Sequence, residues 1–213
     1  MDHTLLVSLK SGNLKDLRRL IVFYHAEPHL LQLNDINHAT PIHLAVKNGD
    51  IKLLEYILQL FKGKRIDERE RSSCGGFTAL HYACLMASVD MIRALLLSNA
   101  DINAKSSGFT QDTPLILCCK KGLLKSAEEL IRFNANVHLK DGFGYTAAFW
   151  CRRYHREDYI SKLGLGAPLL PTFSEFLDNY KARNNGVFQV PKPKLKKSKK
   201  GDKSGVKKSK KGK

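Results

Sequence analysis

The residues best suited to chemistry in this 213-residue chain are its eight histidines and five cysteines. Imidazole takes up and releases protons near neutral pH, and a thiolate is a nucleophile and a soft metal ligand. Two histidines stand out by context: His43 in TPIHLA (40–45) and His81 in TALHYA (78–83), each among apolar or small residues. Each could be a base, a metal ligand or a structural hydrogen-bonding group. The first two roles need partners at fixed spacing, such as H-E-x-x-H, paired cysteines or a serine elbow, and the sequence contains none of them. Cys74, Cys84, Cys118, Cys119 and Cys151 form an odd set without a C-x-x-C pair, and Cys118–Cys119 lacks a supporting metal-ligand spacing. No catalytic, metal or cofactor-binding set is therefore expected, and the chain is read as a non-enzyme.

The elements that position these residues follow from internal repetition. NHATPIHLAVKNGDIKLLEYIL (37–58) aligns with GGFTALHYACLMASVDMIRALL (75–96) and with FTQDTPLILCCKKGLLKSAEELI (109–131), and more loosely with GFGYTAAFWCRRYHREDYI (142–160). Thr40, Thr78, Thr113 and Thr146 anchor the register, 38, 35 and 33 residues apart. Nine residues after each stands Gly49, Ala87, Gly122 or His155; His3 and Gly12 hold the same relation in LLVSLKSGNLKDLRRLI (5–21). Five units result. Within each, apolar residues recur with helical period on both sides of a central break. Asn99 and Asn134 close the outer segments of the third and fourth units, because asparagine tolerates the left-handed conformation that ends a helix. Each unit thus reads as two short antiparallel helices and an extended turn. None buries its apolar face alone, so the units must stack.

Thr40-Pro41-Ile42-His43-Leu44-Ala45 and Thr78-Ala79-Leu80-His81-Tyr82-Ala83 resemble the T-P-L-H-x-A signature of ankyrin repeats, and Asn99-Ala100-Asp101-Ile102-Asn103 resembles that family's closing G-A-D-V-N. The resemblance covers about residues 1–165 and fades at both ends, where a terminal repeat faces water on one side. It implies an all-α solenoid of stacked helix–turn–helix units over 1–165. It also implies that the motif threonines and histidines hydrogen-bond around the turn and tie neighbouring repeats together. Ile116 and Phe149 replace the histidine in the fourth and fifth units, so those joints are expected to be held by packing. Ala45, Ala83, Cys118 and Cys151 share one register position, Val46, Cys84 and Cys119 the next; cysteine there acts as a small hydrophobe between helices. Trp150 is expected in the core of the last unit, with a binding hot spot as the alternative reading. Asn103 resembles the context in which ankyrin proteins are hydroxylated, against the simpler role of satisfying turn backbone.

The resemblance further implies a binding surface along the concave face, built from turn tips and the exposed side of the inner helices. By register the tips carry Phe77, Phe109, Asp112, Phe143 and Tyr145, and the inner helices carry Lys10, Lys47, Leu85, Met86, Lys120, Lys121, Arg153 and Tyr154. An aromatic, apolar centre with cationic flanks calls for a protein partner with hydrophobic anchors and acidic side chains. The mixed-charge stretch KGKRIDERERSSC (62–74) lengthens the first spacing and is expected to be a solvated loop.

Beyond the array, Thr172 with Glu175 forms a capping-box pattern, and Phe173, Phe176, Leu177 and Tyr180 share a stripe, so 166–186 is expected to hold a capping helix. The net charge of +16 sits mainly in the last 23 residues, where twelve lysines stand against one aspartate. With few apolar residues, 187–213 is expected to be a disordered basic tail. Lys194, Lys196, Lys197, Lys199 and Lys200 suit nuclear import or a polyanion such as nucleic acid, an acidic tubulin tail or anionic lipid, through non-specific, salt-sensitive contacts. No stretch has the length and apolarity of a membrane span, and no signal peptide is evident. A monomer in a reducing intracellular compartment, cytoplasm or nucleus, is expected.

Overall fold

The computed structural model describes residues 2–25, 27–62, 64–70 and 76–166. The capping helix and the basic tail expected beyond residue 166 lie outside the described residues. Among these residues there are eleven α-helices and no strand. Ten of them pair into the five expected units: α1 (Asp2–Lys10) with α2 (Leu14–Tyr24), α4 (Pro41–Asn48) with α5 (Ile51–Phe61), α6 (Ala79–Leu85) with α7 (Val89–Leu97), α8 (Pro114–Lys121) with α9 (Leu124–Arg132), and α10 (Ala147–Arg153) with α11 (Glu157–Lys162). The eleventh, α3 (Glu27–Gln32), joins the first unit to the second and packs against α1.

The anchoring threonines start the inner helices. Thr40, Thr78, Thr113 and Thr146 all occupy the N-cap position in extended conformation, and Pro41 and Pro114 follow as first helical residues. A proline there loses no helical hydrogen bond, because that N–H has no partner within the helix. The central break is a single left-handed residue in every unit: Gly12 (φ 70°), Gly49 (75°), Ala87 (53°), Gly122 (78°) and His155 (55°). A second left-handed residue ends each outer helix, at His25, Lys62, Asn99, Asn134 and Gly164. Two such corners per unit reverse the chain twice and set the helices antiparallel.

Each inner helix packs on the inner helix of the next unit, from α1 through α4, α6 and α8 to α10; the outer helices α5, α7 and α9 likewise stack. Leu53, Leu54, Ile57 and Phe61 of α5 and Met91, Ile92 and Leu95 of α7 fill the layer between the inner and outer rows. Cys84, Cys118, Cys119 and Cys151 are free thiols with no exposed surface, at the contact between successive inner helices. The hydrogen bond to Cys84 and burial push the Cys118 thiol well up, and Cys151 and burial do the same to Cys119.

The expectation of a solvated loop over 62–74 needs correction for its described part. Residues 64–70 pack against three units. Ile66 and Glu70 are buried, and Arg65 donates to Asn34 Oδ1 (2.6 Å). Asp67 accepts from Asp101 N (2.8 Å), and Arg69 donates to Lys105 O (2.8 Å). Mixed charge signalled solvent only because these partners lie 31 to 36 residues away in sequence, beyond any local pattern.

Candidate protein-interaction surface

His43 and His81 are fully buried, and each spans two units. His81 Nδ1 accepts from Thr78 N at 3.2 Å and lies 2.8 Å from Thr78 Oγ1, while Nε2 donates to Asp112 O at 2.9 Å. His43 makes the same set with Thr40 N (3.3 Å), Thr40 Oγ1 (2.9 Å) and Phe77 O (3.1 Å). Contact of Nδ1 with an N–H donor leaves Nε2 to carry the proton, so one neutral tautomer is fixed. Burial pulls the His81 pKa down from 6.5 to about 4 and lowers that of His43. Both ring nitrogens are occupied by backbone partners, which leaves neither a base nor a ligand. In the fourth unit Thr113 Oγ1 accepts from Ile116 N (3.3 Å) and Ile116 is buried; in the fifth Phe149 stacks on Tyr145 with centroids 3.8 Å apart. Among the described residues, no three His, Cys, Asp or Glu side chains group to hold a metal ion.

The lysines of the inner helices have two different fates. Lys120 is only 13% exposed and meets Asp112 Oδ1 at 2.5 Å and Asp141 Oδ2 at 3.1 Å, with Nζ 4.1 Å from the Trp150 ring centre. Asp141 is saturated: its Oδ1 accepts from Phe143 N and Tyr145 N, and its Oδ2 from Trp150 Nε1 (2.8 Å) as well as Lys120. Burial raises the pKa of Asp112 even against the pull of Lys120. Lys47 repeats the arrangement with Glu70 (2.6 and 2.7 Å) and the Tyr82 ring (4.5 Å). Burial is the largest single influence and opposes its charge, but the bond to Glu70 together with the fields of Tyr82, Glu70 and Asp35 outweighs it, and its pKa is raised. Lys10 lies 4.0 Å from Asp35, whose Oδ1 accepts from Asn37 N and Ala39 N.

This ladder was missed at the sequence level, although a signal exists. A lysine seven residues after the anchor of one unit meets an acid five residues before the anchor of the next, as Lys10 meets Asp35 and Lys120 meets Asp141. Lys120 is thus engaged internally rather than offered to a partner, whereas Lys47 is paired with Glu70 but stays exposed. Lys121, Arg153, Met86, Tyr154 and Phe109 are exposed. Leu85, Phe77, Phe143 and Tyr145 are half-buried. Phe77 stacks on His81 (5.3 Å), and Phe109 meets Phe143 edge-on (5.3 Å). Trp150 bridges Asp141 and the stacked ring of Tyr154 at 5.8 Å, so it is neither plain core nor free surface.

Arg156 is a second residue the sequence did not single out. It reaches back to the end of α8 and donates to Cys119 O (2.7 Å) and Lys120 O (2.9 Å), satisfying carbonyls that a helix end leaves unpaired. Asn103 Oδ1 accepts from Asn136 N (3.0 Å), linking the closing turns of the third and fourth units.

No helix among the described residues is long and apolar enough to cross a membrane. Residues 5–106 match the family model for ankyrin repeats in three copies, and 110–142 match that for a single ankyrin repeat. The fifth helix pair lies beyond these matches. Similar proteins include ankyrin repeat and SOCS box protein 11 of Danio rerio, 34% identical over 57% of this chain and 36% of that protein. The poly [ADP-ribose] polymerase tankyrase of Caenorhabditis elegans is 34% identical over 48% of this chain and 5% of its own length. Palmitoyltransferase AKR1 of Kluyveromyces lactis is 30% identical over 48% and 13%. The chain therefore spans about a third or less of these relatives, and two with enzyme names match over small fractions of their length. Five stacked helix pairs, their threonine–histidine joints and the family match lead to one conclusion: the chain belongs to the ankyrin-repeat family, whose arrays are protein–protein interaction modules.

Proposed function

We propose that the protein is a non-enzymatic adaptor whose inner-helix side grips a partner segment bearing hydrophobic anchors and acidic flanks. The observation that carries this reading is the exposure of Met86 (43%), Phe109 (55%) and Tyr154 (47%) along one side of the array, with Lys121 and Arg153 beside them. Large exposed apolar side chains together with exposed cations suit an interface centre with a charged rim. The surface is held rigid by the joints beneath it, so a partner meets little ordering cost. The array acts as a monomer in the cytoplasm or nucleus.

A second reading rests on the twelve lysines of 191–213, which suit a polyanion. Deletion of 191–213 separates the two. Groove binding survives the deletion and is lost in Met86→Ser/Tyr154→Ser, whereas polyanion binding shows the reverse. Retention of partner binding by the double variant, with the fold intact, rules out the groove.

A further inference from the structure

The first unit carries an apolar surface away from the inner-helix side. Helix α2 reads LKDLRRLIVFY, and burying Leu17 and Ile21 leaves Val22 and Phe23 73% and 77% exposed. Register makes this unusual. Leu60 and Phe133 occupy the position of Phe23 in the second and fourth units, and both are partly buried. Gln59, Leu97 and Arg132 occupy that of Val22; Leu97 is as exposed as Val22, so the aromatic Phe23 is what sets this unit apart. Phe23 and Tyr24 meet edge-on at 4.8 Å, and with Arg18, Arg19, Leu20 and Val22 they line an open depression of about 610 Å³. The lining surface is almost wholly apolar, although Arg18 and Arg19 contribute to it. Arg19 is highly exposed, with only a 3.7 Å approach to Asp16, and Arg18 lies over the Tyr56 ring.

We infer that the C-terminal half of α2 is a second docking surface, and that its occupant is an amphipathic helix of a protein partner with apolar anchors and acidic flanks. A second copy of this chain fits poorly, because it would set Arg18 and Arg19 against the same two cations. A lipid surface makes no use of a depression, whereas an inserted Leu or Phe side chain fills one. Lys15, Arg18 and Arg19 outnumber Asp16 on this helix, which selects for acidic residues beside the anchors. The inference does not depend on the groove reading, since the two surfaces share no residue.

The test pans the full chain against a displayed library of helical peptides randomised on one face, then measures affinities of the enriched peptides. The expected winners carry apolar residues at i, i+3 or i+4, and i+7, with Asp or Glu alongside. Val22→Ser/Phe23→Ser should weaken them at least about tenfold. Met86→Ser/Tyr154→Ser should leave them unchanged, so failure here and failure of the groove are told apart. Arg19→Glu, at a site too exposed to disturb folding, should weaken binding and flatten its salt dependence. Absence of enriched peptides, or peptides indifferent to both α2 variants, overturns the proposal. So does binding to vesicles of phosphatidylserine and phosphatidylcholine, or self-association in sedimentation, that the Val22/Phe23 variant abolishes.

Discussion

His81 Nε2 lies 2.9 Å from the carbonyl oxygen of Asp112, thirty-one residues downstream, while its Nδ1 faces Thr78 at the start of its own helix. One imidazole therefore starts a helix and fastens the next repeat, and it does so only when neutral, with Nδ1 unprotonated. Its pKa, pulled down to about 4 by burial, makes this bond a source of pH dependence. In the unfolded chain the group titrates near 6.5, so between these values the unfolded state binds more protons. The contribution is complete above about pH 7 and is lost as pH falls through 6.5 towards 4. Its full size is on the order of 3 kcal/mol, about 2 of which disappear by pH 5. His43 acts in the same direction. Urea unfolding at pH 7, 6 and 5 should show this loss. His81→Ile, which copies the fourth unit, should lower stability at pH 7 by about 1–3 kcal/mol and flatten the profile. An unchanged slope in that variant counts against the assignment.

Gly122 should resist substitution more than Gly49, although both sit at left-handed corners. A Cβ at Gly122 would meet the Arg156 guanidinium at 2.8–2.9 Å, where that group caps α8; at Gly49 it would meet only Met86 Cε at 3.4 Å. Backbone strain alone costs about 1–2 kcal/mol for Gly49→Ala. Gly122→Ala adds displacement of the Arg156 cap, so it should be worse by about 1 kcal/mol or more. The same logic runs backwards at Ala87 (φ 53°), where Ala87→Gly should gain a few tenths to about 1 kcal/mol. Chemical denaturation of the three variants checks the order.

The repeat, its period and its corners were legible because each is written locally and then written again. Thr40, Thr78, Thr113 and Thr146 mark helix starts by residue type, and Gly12, Gly49 and Gly122 mark corners by their freedom at positive φ. Ala87 and His155 adopt the same φ with no local sign, and only the count from the anchor reveals them. What stayed hidden is pairing across units. Lys120 and Lys121 are adjacent and identical in sequence, yet one is enclosed by Asp112, Asp141 and Trp150 and the other faces solvent. The helical turn separates them by about 100°, and which face meets the next repeat depends on the fold. Helix α3 escaped for a related reason: six residues with a proline at the second position give no measurable period.

The divergence of the two lysines is itself testable. Lys120→Ala strands Asp141, whose side chain has no exposed surface, and Asp112 beside it, with their charges uncompensated. Breaking a buried pair from one side costs about 3–5 kcal/mol. Lys121→Ala removes an exposed side chain and should change stability by less than about 0.5 kcal/mol. Thermal melts of the two variants in parallel decide the matter. Equal melting temperatures contradict the enclosed position of Lys120, and return Lys120 to the surface available to a partner.

The four described cysteines offer a direct check of how tightly the inner helices meet. Cys84, Cys118, Cys119 and Cys151 have no exposed surface, and hydrogen bonds to neighbouring thiols, with burial, push Cys118 and Cys119 away from the thiolate. Since the thiolate is the reactive form, attack by an aromatic disulfide reagent requires opening of the stack. In a Cys74→Ser background, all four thiols should be silent in the native protein and react together once urea unfolds it. The native rate should follow the opening equilibrium, so His81→Ile, which loosens the joint between the third and fourth units, should expose Cys84 and Cys118 before Cys151. Rapid modification of any of the four in the unaltered fold would mean that the helices stand further apart than a sulfur atom can fill.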